Sequence, residues 1–214
     1  MTETLPGHAA APDFERRAAD CRDRLTGVPG GARSADAWLF ARLVAAREVR
    51  GELALLGLSA QALAGLAQRH FAADAVAALS SPLSPPQHVQ PNFPRRAPIV
   101  DEAHAAFVAS MREFLSGLAA PDVDAADAQC LATILAQACL RPDHLWRDLG
   151  LAGRDDVTQM LTRFFPAVVA RNREGLRWKK LLARELAWAN GGVPGPAPGC
   201  PGCEDFGFCF PPEH

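Results

Sequence analysis

The chain has 214 residues, enough for one domain or two small ones around a buried core. Apolar residues make up 49%, aromatics only 7%, and tyrosine is absent. This alanine- and arginine-rich composition favours helix over sheet and excludes fibrous, disordered and collagen-like classes. A formal net charge of −2 excludes a general nucleic-acid binder, which carries a basic excess.

The start, Met1-Thr2-Glu3-Thr4-Leu5-Pro6-Gly7, has neither the positive n-region nor the apolar h-region of a secretory signal. The most apolar uncharged stretch, residues 53–68, is interrupted by Gly57, Ser59, Gln61 and Gly65. It falls short of the roughly 20 apolar residues that a spanning helix needs. The expectation is a cytoplasmic chain with no membrane contact. In a reducing compartment its six cysteines read as thiols or metal ligands rather than disulfides.

Residues 1–12 carry no periodic pattern and are expected to be loose. Residues 14–25 are charged and amphipathic, and Gly27-Val28-Pro29-Gly30-Gly31 ends the helix they predict. Ser34 or Asp36 can cap the next helix, in which Leu39, Phe40, Leu43 and Ala46 recur at helical spacing. Leu56-Gly57-Leu58 reads as a turn, after which Ser59 opens a helix with Leu63, Leu66 and Phe71 inward. The prolines of residues 80–98 exclude regular helix there and predict an extended crossing loop.

Residues 101–118 and 124–140 predict two further helices, the second with Leu131, Ile134, Leu135 and Ala138 on one face. Pro142 suits the first turn of a short helix through Trp146 and Leu149. Asp155 and Asp156 open another, carrying Val157, Met160, Leu161, Phe164 and Phe165 at core-facing spacing. Residues 171–190 predict one helix with Trp178, Leu181, Leu182 and Leu186 inward. An internal echo links Leu56-Gly57-Leu58 and the helix after it to Leu149-Gly150-Leu151 and its following helix. The expected fold is all-α: a single multi-helix domain over 1–190, then an irregular Gly/Pro/Cys-rich metal-binding tail over 191–214.

That tail cannot bury enough surface to order itself, so a metal is its expected organiser. Cys200-Pro201-Gly202-Cys203 lets two thiolates converge across a tight turn. A five-residue spacer brings Cys209 round as a third, with Phe206, Phe208 and Phe210 as an apolar shield. Two metals suit these donors. Zinc wants four ligands, and His214 supplies a fourth by spacing. An iron–sulfur cluster is normally held by four thiolates; three suit a three-iron cluster whose fourth corner is empty or filled by another metal.

Candidates for an additional ligand are His144 and Cys139. Cys21 and Cys130 read as packing residues, His70 chiefly as local packing, and His8, His88 and His104 as surface. The basic run that includes Arg177, Lys179 and Lys180 is either an anion or partner surface or the solvated face of a helix. No nucleophile–base pair, phosphate-cradling glycine loop or paired-carboxylate motif points to an enzyme.

The stretch Ala138-Cys139-Leu140-Arg141-Pro142-Asp143-His144-Leu145-Trp146-Arg147-Asp148-Leu149-Gly150-Leu151 resembles the NifQ proteins of nitrogen fixation. The likeness continues through Phe165-Pro166, Ala170-Arg171-Asn172, Arg177-Trp178-Lys179-Lys180 and the terminal cysteines, over roughly the last eighty residues. The family's tail pattern is C-x4-C-x2-C-x5-C. Its last three cysteines align with Cys200, Cys203 and Cys209, and Gly195 stands where the first falls. The resemblance implies a donor protein rather than a catalyst. Its cargo would be an iron–sulfur cluster, of three-iron or molybdenum–three-iron type, that acquires molybdenum supplied as molybdate. It would pass the molybdenum to the proteins assembling the nitrogenase iron–molybdenum cofactor, NifEN and NifH. The competing reading is a zinc-stabilised or metal-free helical interaction module.

Overall fold

Four helices begin where a short polar side chain takes up an orphan backbone N–H. Ser34 Oγ accepts from Ala37 at 3.0 Å, Ser59 Oγ from Ala62 at 3.1 Å, and Asp101 Oδ1 from His104 at 2.8 Å. Asp124 Oδ1 accepts from both Ala126 and Asp127, at 2.9 and 3.0 Å. The computed structural model describes residues 11–80 and 101–212. Its helices are α1 (Ala11–Thr26), α2 (Ala35–Val49), α3 (Ala60–His70), α4 (Ala73–Ser80), α5 (Glu102–Ser116), α6 (Ala125–Ala138), α7 (Leu145–Asp148), α8 (Arg154–Phe164), α9 (Pro166–Arg171), α10 (Trp178–Ala189) and α11 (Phe206–Cys209). Short 3₁₀ turns lie at Leu53–Leu56 and Cys200–Gly202. The described residues are all helix and connection, with no strand.

The fully buried Phe40, Leu66, Leu131, Leu135, Phe164 and Phe165 share one core, to which both halves of the chain contribute. The sequence echo has a structural counterpart. α1 packs on α2 as α5 packs on α6, and α3 on α4 as α8 on α9. Gly57 and Gly150 both take left-handed backbone (φ +70° and +69°), which a side chain resists. Each turn abuts the opposite half: a Cβ on Gly57 would fall 2.4 Å from Gln137 of α6, and one on Gly150 2.2 Å from Ala46 of α2. The polar contacts are exchanged in the same way. Arg141 donates to the Leu55 carbonyl (3.1 Å) and Arg47 to the Asp148 carbonyl (2.7 Å), each two residues before the other half's turn glycine. Arg69 pairs with Asp127 in the first turn of α6 (2.7 Å), and Arg163 with Asp36 in the first turn of α2 (3.0 Å).

Several expectations need correction. Pro142 does not open the short helix; α7 begins at Leu145, and Pro142 belongs to the connection before it. The single helix expected over 171–190 is two, α9 and α10. Asn172 binds both the N–H and the carbonyl of Leu176 (2.8 and 3.0 Å), and Gly175 turns left-handed (φ +64°), so the chain reverses before Trp178. Pro166 lacks a donor and starts α9, which stops α8 at Phe164. The tail is not irregular throughout: α11 forms in it, Ala197 is fully buried, and Phe206 and Phe210 pack on the core. The loose start over 1–12 lies, but for its last two residues, outside the described residues, as do the proline-rich loop over 80–98 beyond Ser80, and His214. Among the described residues no helix is long and apolar enough to cross a membrane.

Candidate metal centre

The site is assembled where the tail crosses the connection between α6 and α7. Cys139 follows the last turn of α6, and its carbonyl accepts the N–H of Gly199 at 2.9 Å. Two residues on, the Arg141 carbonyl accepts from Lys179 Nζ of α10 at 2.8 Å. The approach is at backbone contact: a Cβ at Gly199 would lie 2.2 Å from the Arg141 carbonyl oxygen, and one at Gly202 2.6 Å from Pro142. Glycine is required at 199 for space, since its φ of −82° suits any residue. Gly199→Ala should therefore detach the tail. Limited proteolysis would then release the segment beyond Ala189 while the helical body survives; an equally resistant tail would show that the Arg141 backbone yields instead.

Charge pairs fasten the tail from the other side. His144 Nε2 lies 3.0 Å from Glu204 Oε1 and 3.6 Å from Asp205 Oδ2. Arg147 reaches Glu204 at 3.1 Å and Arg177 reaches Asp205 at 2.8 Å. Hydrogen bonding from Arg147 holds the exposed Glu204 carboxyl below its usual pKa. Lys180 donates to the Cys209 carbonyl and sits over the Phe210 ring at 4.8 Å. Each exposed pair contributes little alone, but together they set the register of the tail against α7 and α10.

Between these elements lies a cavity of ≈ 50 Å³ whose wall includes Cys200, Cys203 and Cys209. Phe206, Phe210 and Trp178 supply its apolar side, and His144, Arg177, Lys179 and Lys180 its polar side. Burial raises the Cys200 thiol pKa. Burial also raises that of Cys209, against the charges of Arg177 and Lys180. Among the described residues, no three His, Cys, Asp or Glu side chains are grouped so as to hold a single metal ion.

The other candidates fall on both sides of this wall. His144 lines the cavity, and Asp143 accepts its backbone N–H (2.7 Å) while pairing with Arg147 (2.9 Å). Cys139 is fully buried and absent from the cavity wall, and burial pushes its thiol up to about 12. Cys21 and Cys130 are buried in the core. His70 bonds Asp127 at 2.6 Å beneath Phe40. Lys179 is buried and spent on Arg141, so it belongs to the cavity floor rather than to an open surface. Sequence reasoning passed over Glu204 and Asp205, whose acidic pair in a tail facing a basic run was the available signal.

Comparison with known proteins follows the same stretch. A protein named NifQ homolog from Sinorhizobium fredii is 43% identical over 79 residues, 37% of this chain and 34% of its own length. NifQ of Azotobacter vinelandii is 41% identical over 83 residues, 39% of this chain and 43% of its own. NifQ of Rhodobacter capsulatus is 34% identical over 98 residues, 46% of this chain and 52% of its own. The matched stretch thus spans a third to about half of the length of these curated relatives. No solved structure matches. The family model described as NifQ matches residues 38–211, from the start of α2 to the end of the cysteine tail, and the chain belongs to the NifQ family.

Proposed function

We propose that the chain carries an iron–sulfur cluster on Cys200, Cys203 and Cys209 and donates molybdenum for assembly of the nitrogenase iron–molybdenum cofactor. Membership of the NifQ family supports a role in nitrogen fixation. The observation that carries the reading is that Cys200, Cys203 and Cys209 all line one partly apolar cavity. Thiolates are soft donors that select iron–sulfur clusters and zinc over hard cations. A cluster gives each thiolate its own iron and accommodates donors spread along a wall.

Three thiolates leave one corner of a four-metal cargo without protein sulfur. Gly195 stands away from the cavity wall, and Cys139 lies behind it. His144 is the candidate ligand that lines the cavity, so we assign it to that corner when the tail opens its contact with Glu204. A corner held weakly suits a donor, which must release what it binds. The chain acts in the cytoplasm as a donor to NifEN and NifH, takes its molybdenum from molybdate, and catalyses no reaction of its own.

Anaerobic loading with iron, sulfide and molybdate tests the reading. Brown protein with thiolate-to-iron absorption, holding iron and molybdenum together after desalting, is expected. Colourless protein that retains only zinc, or no metal, would overturn it in favour of an interaction module.

A further inference from the structure

Burying a charge is costly unless an opposite charge compensates it. The buried charged side chains among the described residues are Arg47, Asp127, Asp148, Lys179 and Glu185. All but one are paired. Arg47 meets Asp148 at 2.7 Å, Asp127 meets Arg69 at 2.7 Å, and Glu185 meets Arg171 at 3.4 Å. Lys179, only 6% exposed, is the exception. Its Nζ donates to the Arg141 carbonyl at 2.8 Å, and no carboxylate pairs with it among the described residues. A carbonyl solvates an ammonium but does not neutralise it.

This unpaired cation lies in the wall of the cavity that Cys200, Cys203 and Cys209 also line. Its neighbours there share its character. Lys180 rests on the Cys209 carbonyl, and Arg154 on the carbonyls of Gly175 and Leu176, both at 2.8 Å. Cys200 feels the Lys179 charge: burial raises its thiol pKa, and Lys179 is the foremost charged group opposing the rise. The same opposition acts on the other side of the wall, at Cys139. Three thiolates brought together by a cluster would supply the negative charge that Lys179 lacks.

We propose that the Lys179 ammonium is the fixed counter-charge of the bound cluster, raising its reduction potential and slowing its loss. The inference rests on the cluster reading and adds to it a residue that holds no metal and acts through its charge alone. A cation held close to a cluster stabilises the reduced, more negative form, and local charge is one of the levers that set such potentials. Burial makes this lever effective, because solvent does not screen it. The helix supplies the rigidity: Lys179 stands in the first turn of α10 with its Nζ pinned to Arg141.

The test uses the full-length protein, loaded anaerobically with iron and sulfide and titrated with dithionite in the presence of redox mediators. Lys179→Gln removes the charge and keeps a donor for the Arg141 carbonyl. Its potential should fall by about 59 mV, the one-electron equivalent of a tenfold change. That is the size expected of a unit charge about 10 Å from a redox centre at an effective dielectric of about 20. Iron loss to a chelator should quicken roughly tenfold by the same arithmetic. Lys179→Arg keeps the charge and should restore both values, while Arg173→Gln, exposed on the α9–α10 connection, should match the wild type. Losing only the Arg141 bond would loosen the tail to protease without moving the potential. If Lys179→Gln sheds its iron before titration, Lys179→Arg decides: retention like the wild type supports the role, and equally fast loss overturns it. An iron-loaded Lys179→Gln with the wild-type potential overturns this role alone, as does a variant that cannot fold without iron, since the ammonium would then serve the fold. A wild type that takes up no iron overturns the cluster reading and this role with it.

Discussion

Cys203→Ser is expected to abolish iron retention while leaving the helical domain folded. Cys203 is a cleaner position to change than Cys200, because it is half-exposed whereas Cys200 is buried. Serine keeps the size but replaces a soft thiolate by a hydroxyl that stays protonated at neutral pH, so one iron loses its protein ligand. The loss should be complete rather than graded, because two remaining thiolates cannot hold a cluster that three already hold with a corner to spare. Far-UV circular dichroism and melting temperature should be unchanged, with iron and absorbance near background after desalting. Cys21→Ser, in the core of the opposite half, should retain iron normally. Unchanged iron content in Cys203→Ser would remove the tail from the metal site.

The largest effect on stability is expected from Asp148→Asn. Asp148 is buried and accepts a bidentate pair of bonds from Arg141 at 2.6 and 2.5 Å, while Arg47 approaches its Oδ1 at 2.7 Å. Arg47 is equally buried and reaches across from α2, so this one carboxylate neutralises arginines from both halves of the domain. Removing the charge leaves Arg47 in the interior with the half-buried Glu52, at 2.7 Å, as its remaining counter-ion among the described residues. The expected loss is about 3–5 kcal/mol, a fall in melting temperature on the order of 10 °C.

The pH dependence has a definite sign. Burial pushes the Asp148 carboxyl pKa up, but hydrogen bonds and charge from Arg141 and Arg47 outweigh burial and hold it below the ordinary 3.8. The folded protein therefore binds fewer protons here than the unfolded chain. The stabilisation is complete above 3.8 and is lost as the pH falls through that value and below it. Acid titration of the wild type should show this loss, and Asp148→Asn should show a shallower one. Melting curves at neutral pH that coincide for the two proteins would contradict the assignment.

Much of the fold was legible because its signals are local. A serine or aspartate before an apolar-periodic run starts a helix through its own side chain, and Ser34, Ser59, Asp101 and Asp124 all do so. The repeated Leu-Gly-Leu was legible as two turns, but its meaning was not. That each glycine seats against the other half's helix, and that Arg47 and Arg141 exchange carbonyls, depends on residues roughly 90 positions apart. The break between α9 and α10 was obscured because the basic residues from Arg171 to Arg184 keep a helix-like rhythm. The Asn172–Leu176 bonds that end it are made by one side chain folding back on the backbone.

The three thiols of the candidate site could be read from their spacing alone, since a Pro-Gly turn between cysteines has few other uses. Their surroundings could not. Lys179 and Lys180 are neighbours of identical chemistry, yet one is buried on the Arg141 carbonyl and the other caps Cys209. Trp178 read as a core residue, and it is one; that its N–H meets no acceptor among the described residues became visible only once its neighbours were placed.

By itself the sequence determined an all-helical domain, where most of its helices begin, and which three cysteines belong together, because caps, periodicity and turn chemistry act within a few residues. Only the tertiary structure decided that the tail docks on the α6–α7 connection, that Glu204 and Asp205 meet His144, Arg147 and Arg177, and that α10 opens onto the thiols. Those outcomes depend on which surfaces exclude water together and on charges distant along the chain, and no local pattern encodes them.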